Sequence, residues 1–444
     1  MNTEQFFDFE LENGLFDIVD SRGLRPWEAV RYYVYNRIYS NREPVEKKTS
    51  PSKITLKRLF HFIRRKLFFL VYILRHLNSP YLFLLCSRDK KDGFYYDKIC
   101  GSSFEEGDKT KIFAIESCVH DYNYKYAGFT CERSFFSVLL RCLSVDFDFI
   151  LIKERISAQY PDFPIEIGDL ENWYKEFLAQ YYYFRFLFRL LGTKKMFMVQ
   201  NGILKGVFAA AKEQGVEVIE YQHGQISVNH PAYSYPEKVD SLKIYQPSKL
   251  LVFGEFWTKN RYYPGVKNIV IGNKFYFKKN DNQMDMHLKK RLLVISDKFE
   301  GKRLAKYVKS ILELDTSFSF YFKLHPNQYS EFDFYQNEFH TYENVEVVSD
   351  SMSINELLSE SEGILVVQST VELEALRDGK IVFVVGEGAY EMMDFVFKEP
   401  GVYLINSAQD FVDKYSYVRN DRIMPRGDLF AEYNNCVIET LFNL

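Results

Sequence analysis

The stretch MFMVQNGILKGVFAAAKEQGVEVIEYQHG, residues 196–224, decides the fold. It opens on a four-residue apolar run, 196–199, closed by Gln200, Asn201 and Gly202. A helical pattern follows over 203–214, and a second apolar run, 216–221, ends on Gln222, His223 and Gly224. Two short apolar runs joined by a helix of this length form a β-α-β unit, in which the strands run parallel and the helix covers the sheet. Upstream, YLFLLCS (81–87), TKIFAIES (110–117) and DFDFILIK (146–153) read as further strands, and 169–191 as a long helix. Downstream, the polar stretch KKNDNQMDMHLKKR (278–291) reads as a linker between domains.

After that linker the alternation resumes. Strands are expected at 292–296, 318–323, 363–367 and 381–385, and helices at 302–312, 354–359 and 371–377. Gly379 falls where a left-handed residue would end the last helix. Two such series make an α/β chain of two Rossmann-like domains facing each other across a cleft, with ligands expected at the carboxyl ends of the strands. The division read from this pattern is a helical extension over 1–79, a first domain over 80–277 and a second over 278–444. The 444 residues agree with that scale, at roughly 150 residues per domain.

Composition narrows the class. Apolar residues make up 47 % and charged residues 26 %, values of a folded globular chain. With 57 basic and 60 acidic side chains the formal charge is -3, which argues against a nucleic-acid binder acting through overall charge. The six cysteines contain no C-x-x-C pair, so neither a zinc site nor a disulfide framework is expected. The start MNTEQFFDFELENGLFD is acidic, unlike a signal peptide, and points to the cytoplasm. The 41 Phe and 33 Tyr read as core filler.

A helical aromatic stretch around 27–42 leads into the linker-like NREPVEKKTSPSK. Residues 53–77 then carry Lys53, Lys57, Arg58, Arg64, Arg65, Lys66 and Arg75 without an acid, while Leu56, Leu59, Phe60, Ile63, Leu67, Leu70 and Leu74 recur at helical spacing. Such a basic amphipathic helix can pack on a domain or lie on an anionic membrane surface; the second reading gives a peripheral contact at the inner membrane. Its longest apolar run, 67–74, is far too short to span a bilayer.

Three histidines lie in strand-end or Pro-containing loops: His223 in YQHG, His230 in NHPAYSYP and His325 in KLHPNQ. Pro326 biases His325 toward an extended backbone, which fixes the direction in which the imidazole leaves the strand and suits contact with a phosphate. Gln368, Ser369 and Thr370 end a strand and open a helix. Their hydroxyls and the free N–H groups of the first turn can receive an anion or simply cap the helix. Glu374, one turn on, could reach a ribose or face solvent. Asp146 and Asp148 form a D-x-D at the start of an expected strand, the wrong end for a metal site. No Walker A, G-x-G-x-x-G, H-E-x-x-H or G-x-S-x-G motif occurs.

The order Q-H-G, K-x-H-P, Q-S-T-x-x-x-E-A resembles the GT-B transferases of bacterial surface polysaccharides: capsule Kdo transferases, sialyl- and polysialyltransferases using CMP-sugars, and teichoic-acid polymerases using CDP-glycerol. The resemblance implies a metal-independent, nucleotide-sugar-dependent glycosyltransferase without a cofactor. His325, Pro326 and Lys323 would contact the donor phosphate or nucleotide, Ser369 and Thr370 the phosphate, and Glu374 the ribose. Lys298 is a further cation for the leaving phosphate. Gln222, His230 and Tyr233 would meet the acceptor, a glycan or lipid-linked glycan. His223 or Glu220 would be the general base, a choice the sequence leaves open. The rival expectations are a glycerol- or ribitol-phosphate transferase and a non-catalytic, membrane-docked assembly protein.

Overall fold

The computed structural model describes residues 3–40, 67, 69–117, 125, 129–130, 140, 142–199, 202–259, 263–277, 290–298, 300–386, 394–418 and 423–442. The linker-like stretch 41–53, residues 278–289 of the second one, and residues 53–66 and 68 of the basic segment 53–77 lie outside these residues. The chain divides into two compact units: Met1–Phe253 with Trp257–Phe275 and Tyr433–Leu444, and Gly254–Phe256 with Tyr276–Glu432.

The first unit is built on a seven-stranded parallel sheet. Its strands in chain order are β1 (Tyr81–Leu85), β4 (Ile112–Glu116), β5 (Phe129–Thr130), β6 (Lys195–Val199), β7 (Glu217–Tyr221), β8 (Lys249–Val252) and β9 (Lys267–Val270). A small antiparallel pair, β2 (Asp89–Lys91) and β3 (Phe94–Tyr96), follows β1. The spatial order β5-β4-β1-β6-β7-β8-β9 reverses direction between β1 and β6, the doubly wound arrangement. Strands buried on both faces read as unbroken apolar runs, which is why 81–85, 112–116 and 196–199 are legible in the sequence.

The expected strand at 146–153 is a correction, since Ile150–Gln159 is a helix. Ile152 and Ile156 are buried one turn apart, whereas Ile150 and Leu151 are about half exposed, so the apolar run has a helical inward face. Asp148 Oδ1 accepts the Ile150 N–H at 2.9 Å, and Asp146 pairs with Arg22 at 3.3 Å; the D-x-D pair is engaged in local structure.

Within the first unit, helices α1 (Thr3–Glu12) and α2 (Pro26–Ser40) are held to each other by a buried ion pair. Glu10 accepts from Trp27 Nε1 at 2.7 Å and from Arg31 Nη2 at 2.9 Å, and Arg31 also donates to the Pro231 carbonyl. The long helix Ile167–Leu191 and the helix Lys205–Gln214 touch backbone to backbone at Gly206, where a Cβ would come within 2.2 Å of the Phe177 carbonyl oxygen. The terminal helix Asn435–Phe442 packs into the first unit. Ile438, Leu441 and Phe442 join Phe83, Ile112 and Phe197 in one core, and Tyr81 Oη donates to the Phe442 carbonyl.

The second unit carries a six-stranded parallel sheet: β10 (Arg291–Ile295), β11 (Ser319–Lys323), β12 (Val345–Val348), β13 (Gly363–Val366), β14 (Ile381–Val385) and β15 (Val402–Ile405). Its order is β12-β11-β10-β13-β14-β15, with the reversal between β10 and β13. Each unit is thus a Rossmann-like α/β domain. Gly379 has φ +67, the left-handed residue expected after the helix Val371–Arg377.

Candidate functional site

In the first unit the loop after β7 carries the Q-H-G residues. Gln222 is fully buried and both ends of its amide are bound to main chain: Nε2 donates to the Gly224 carbonyl at 2.8 Å and Oε1 accepts the Phe253 N–H at 2.9 Å. It therefore holds the loop against the end of β8. His223 follows, with Nδ1 3.3 Å from the Tyr233 hydroxyl. Burial, and then the Arg88 guanidinium, push its pKa down to about 4, opposed by Asp97. It is neutral at pH 7.

Glu220 lies on β7 itself, fully buried, and its Oε2 accepts from Tyr263 Oη at 2.8 Å. Burial, and then the nearby Glu220 carboxyl, hold the Tyr233 pKa well above the ordinary value. His230 Nδ1 accepts the Ala232 N–H at 3.2 Å. Its ring lies parallel to Tyr32 and edge-on to Tyr233, and burial lowers its pKa to about 3. His223, Glu220, His230 and Tyr233 are thus brought together in one cluster.

Sequence reading missed Arg88 and Asp97. Asp97 is buried and accepts N–H groups from Ile99 at 2.8 Å, Cys100 at 3.0 Å and Cys86 at 2.7 Å, fixing the turn after β1 that carries Arg88. The signal was topological: β1 borders the reversal of strand order, where α/β sheets put their ligand loops.

In the second unit, register sets Lys323, Ile295 and Val366 level on adjacent strands, so His325 and Ser369 leave the same carboxyl edge, one strand to each side of β10. His325 has φ -68 and ψ 146, as Pro326 demands, and its Nδ1 accepts the Asn327 N–H at 3.2 Å. In the neutral ring the proton therefore sits on Nε2, and the exposed imidazole presents a donor. Beneath it, buried Gln328 accepts from Ser296 Oγ at 3.0 Å and donates to Tyr335 Oη at 3.0 Å. Gly301 approaches this knot so closely that a Cβ would lie 2.6 Å from Ser296 Oγ.

Ser369 Oγ accepts the Val371 N–H at 3.2 Å, the capping role, and leaves its own proton available to a ligand. Thr370 is exposed and Glu374 half-buried on the same turn. A residue the sequence reading passed over is Glu372. It is fully buried, and desolvation raises its pKa to about 8 although Oε1 accepts the Ser369 N–H at 2.8 Å. The Lys323 ammonium lies under the loop after β12, donating to the Ser349 carbonyl and, at 3.2 Å, to that of Met352. A buried ammonium must satisfy its protons locally, and these carbonyls do so. Lys298 stays exposed in the loop after β10.

Residues 294–397 match the family model described as capsule polysaccharide biosynthesis protein, a stretch that runs from β10 past the Ser369 loop. No curated protein matches the chain. Among solved structures, the UDP-GlcNAc 2-epimerase of Methanocaldococcus jannaschii is 12 % identical with a TM-score of 0.47, covering 82 % of this chain and 100 % of its own. That of Neisseria meningitidis bound to UDP-GlcNAc is 15 % identical with a TM-score of 0.47, over 82 % and 100 %. A mutant of S. aureus TarM, in complex with Fondaparinux, alpha-GlcNAc-glycerol and UDP, is 14 % identical with a TM-score of 0.37, over 60 % and 58 %.

Proposed function

We propose that the chain is a glycosyltransferase of surface-polysaccharide biosynthesis that moves a sugar from a nucleotide donor, a CMP-activated acidic sugar, to a glycan or lipid-linked acceptor. The observation that carries this reading is the capsule-family match over 294–397, which contains both donor loops. His325 Nε2–H, Ser369 Oγ–H and Thr370 Oγ–H are hydrogen-bond donors on one sheet edge and suit a phosphate, and Glu374 suits a ribose hydroxyl. In the first unit a neutral imidazole, His223, can take the proton of an acceptor hydroxyl. As the acceptor oxygen bonds to the anomeric carbon, the bond from that carbon to the phosphate breaks and the electron pair leaves on the nucleotide.

The test is a thermal-shift comparison of CMP, CDP, UDP and GDP, followed by product analysis. A nucleotide at 100 times its Kd stabilises by about 2.7 kcal/mol, and the expected responder is CMP. Response to UDP alone removes the CMP donor. A product that gains a phosphodiester in place of a glycosidic bond assigns the chain to polyol-phosphate transfer.

The same reading puts the chain peripherally at the cytoplasmic face of the inner membrane, where lipid-linked acceptors are found. No described helix is long and apolar enough to cross a membrane. The described part of the basic segment is helical. Its inner side is held by Tyr72, whose ring centroid is 4.8 Å from that of Phe113, and by buried Ile73. Leu67, Leu70, Val71, Leu74 and Leu77 remain 43 to 59 % exposed. An apolar ridge continuing a stretch with Lys and Arg but no acid is complementary to an anionic bilayer.

A further inference from the structure

Residues 222–248, which join β7 to β8, carry His223, His230 and Tyr233, and the regular structure among them is the short turn Ser241–Lys243. A connection so much longer than about 15 residues rarely satisfies its own main chain, so it is ordered where neighbouring elements bind it. Here those neighbours are the two N-terminal helices. Arg31 donates to the Pro231 carbonyl, and the Tyr35 hydroxyl donates to the Asn229 carbonyl at 3.2 Å, with Thr3 Oγ1 on the same oxygen at 3.4 Å. Farther along, Glu28 Oε2 takes the Tyr245 N–H at 2.7 Å and the Tyr235 hydroxyl at 3.2 Å. Resting on the transferase reading, we propose that Arg31 and Tyr35 are positioning residues: by binding the carbonyls of the two residues that flank His230, they hold His230, Tyr233 and His223 in the geometry that receives the acceptor.

The bond at Asn229 fixes the peptide plane that enters His230. The bond at Pro231 fixes the plane that leaves Pro231, whose ring already sets its own φ, so little freedom is left to His230 between them. Tyr233 N–H donates to the His230 carbonyl at 2.9 Å, and the Tyr233 hydroxyl meets His223 Nδ1 at 3.3 Å, which carries the constraint on to the imidazole. Arg31 is itself immobile. Its Nη2 lies 2.9 Å from Glu10 Oε2, both side chains are buried, and a guanidinium that swung away would leave a carboxylate uncompensated. Tyr32, the next residue, lies parallel to the His230 ring with centroids 6.2 Å apart. Gly202, in the loop after β6, comes so near that a Cβ there would lie 3.0 Å from the Tyr32 ring and 3.2 Å from Ala232 Cβ. Helix α2 therefore borders both strand-end loops of the first unit.

Two variants of the full chain test the clamp. Glu10→Leu/Arg31→Met replaces the ion pair by apolar side chains of similar size, so that no charge is left buried alone. Tyr35→Phe keeps the edge-on contact with Phe6 at 5.1 Å and removes the hydroxyl; it carries the same readout should the double variant not fold. In hydrogen exchange followed by mass spectrometry, amides of 230–234 are expected to exchange about tenfold faster in the double variant, the effect of losing one hydrogen bond from a charged donor. The increase is smaller in Tyr35→Phe, and the amides of β6 and β7 keep their wild-type rates in both. CMP release from CMP-Kdo and CMP-sialic acid, with a lipid extract of the source organism supplying acceptor, is expected to fall in step with the loosening. Calorimetric CMP affinity stays unchanged, because His325 and the Ser369 loop belong to the second unit. A contact that merely stabilised the fold would not separate turnover from nucleotide affinity.

Wild-type exchange of the loop in both variants, strands that loosen together with it, or a loosened loop with undiminished turnover each overturn the proposal. The exchange readout needs no substrate. A loop that responds as expected in a protein that releases CMP from neither sugar nucleotide counts against the transferase reading alone; turnover and loop exchange that both stay at wild-type values in the variants refute the clamp alone.

Discussion

Glu372 reaches back over one helical turn to take the Ser369 N–H at 2.8 Å, while Ser369 Oγ takes the Val371 N–H at 3.2 Å. The two side chains lock the loop expected to hold the donor phosphate, at the cost of a buried carboxyl group that meets no cation among the described residues. Burial raises the Glu372 pKa to about 8 from 4.5. Between these values the folded chain keeps a proton that the unfolded chain has released, so stability falls as pH rises from about 4.5 to 8 and levels off above.

Glu372→Gln retains the acceptor for Ser369 and removes the ionisation. Its melting temperature is expected to exceed that of the wild type at pH 8 and to lose the decline over pH 5–8. Each pH unit of that decline is worth up to about 1.4 kcal/mol. Equal slopes for the two proteins in calorimetric scans across this range refute the assignment.

The buried imidazoles act in the opposite direction. His223 and His230 titrate near pH 4 and 3 in the folded chain against 6.5 unfolded. The unfolded state therefore binds protons first, and stability is lost as pH falls from about 6.5 toward 4, by up to about 3 kcal/mol for each group. His230→Gln is expected to flatten the acid limb of the melting profile without changing it above pH 7.

His223→Ala is expected to lower sugar transfer about 10²-fold or more while leaving nucleotide affinity unchanged. His325→Ala should do the reverse, weakening nucleotide binding. It also loses the cap on Asn327, at about 1 kcal/mol of stability. Calorimetric titration with CMP beside turnover measurements checks both. Wild-type nucleotide affinity in His325→Ala would remove it from the donor site.

Binding to anionic vesicles in co-sedimentation is expected to weaken with salt and with charge reversal at Arg64 and Arg65. It is also expected to weaken in Leu70→Ser/Leu74→Ser, a change at side chains already 53 % and 59 % exposed that leaves the fold intact. Binding that ignores all three changes, or no binding at all, makes the segment a packing element.

What the sequence disclosed follows from how local the cause was. The strand Ile381–Val385 and the helices Ile354–Ser359 and Val371–Arg377 emerge with the bounds expected from sequence, because unbroken apolar runs, a Ser353 cap with Glu356, and Gly379 are all encoded within a few residues. The helix at Ile150 was misread because its apolar run has no strand alternation to contradict it. The direction of the Lys323 ammonium depends on carbonyls 26 and 29 residues away, and the burial of Glu372 on the packing around its helix. Neither leaves a mark on the neighbouring sequence. The His223 cluster was half visible: its members were named one by one, but their linkage through Tyr233 is a property of the folded loop.

The seat of the terminal helix has a consequence for biosynthesis. Ile438, Leu441 and Phe442 complete a core that includes Phe83, Ile112 and Phe197, which leave the ribosome more than 200 residues earlier. Tyr276–Glu432 can fold in the interval as a unit with its own sheet. The first sheet must meanwhile wait with an apolar face uncovered, exposed to chaperones and to aggregation until residues 435–442 have been made. A nascent chain arrested before residue 433 would carry a finished second unit and an unfinished first one.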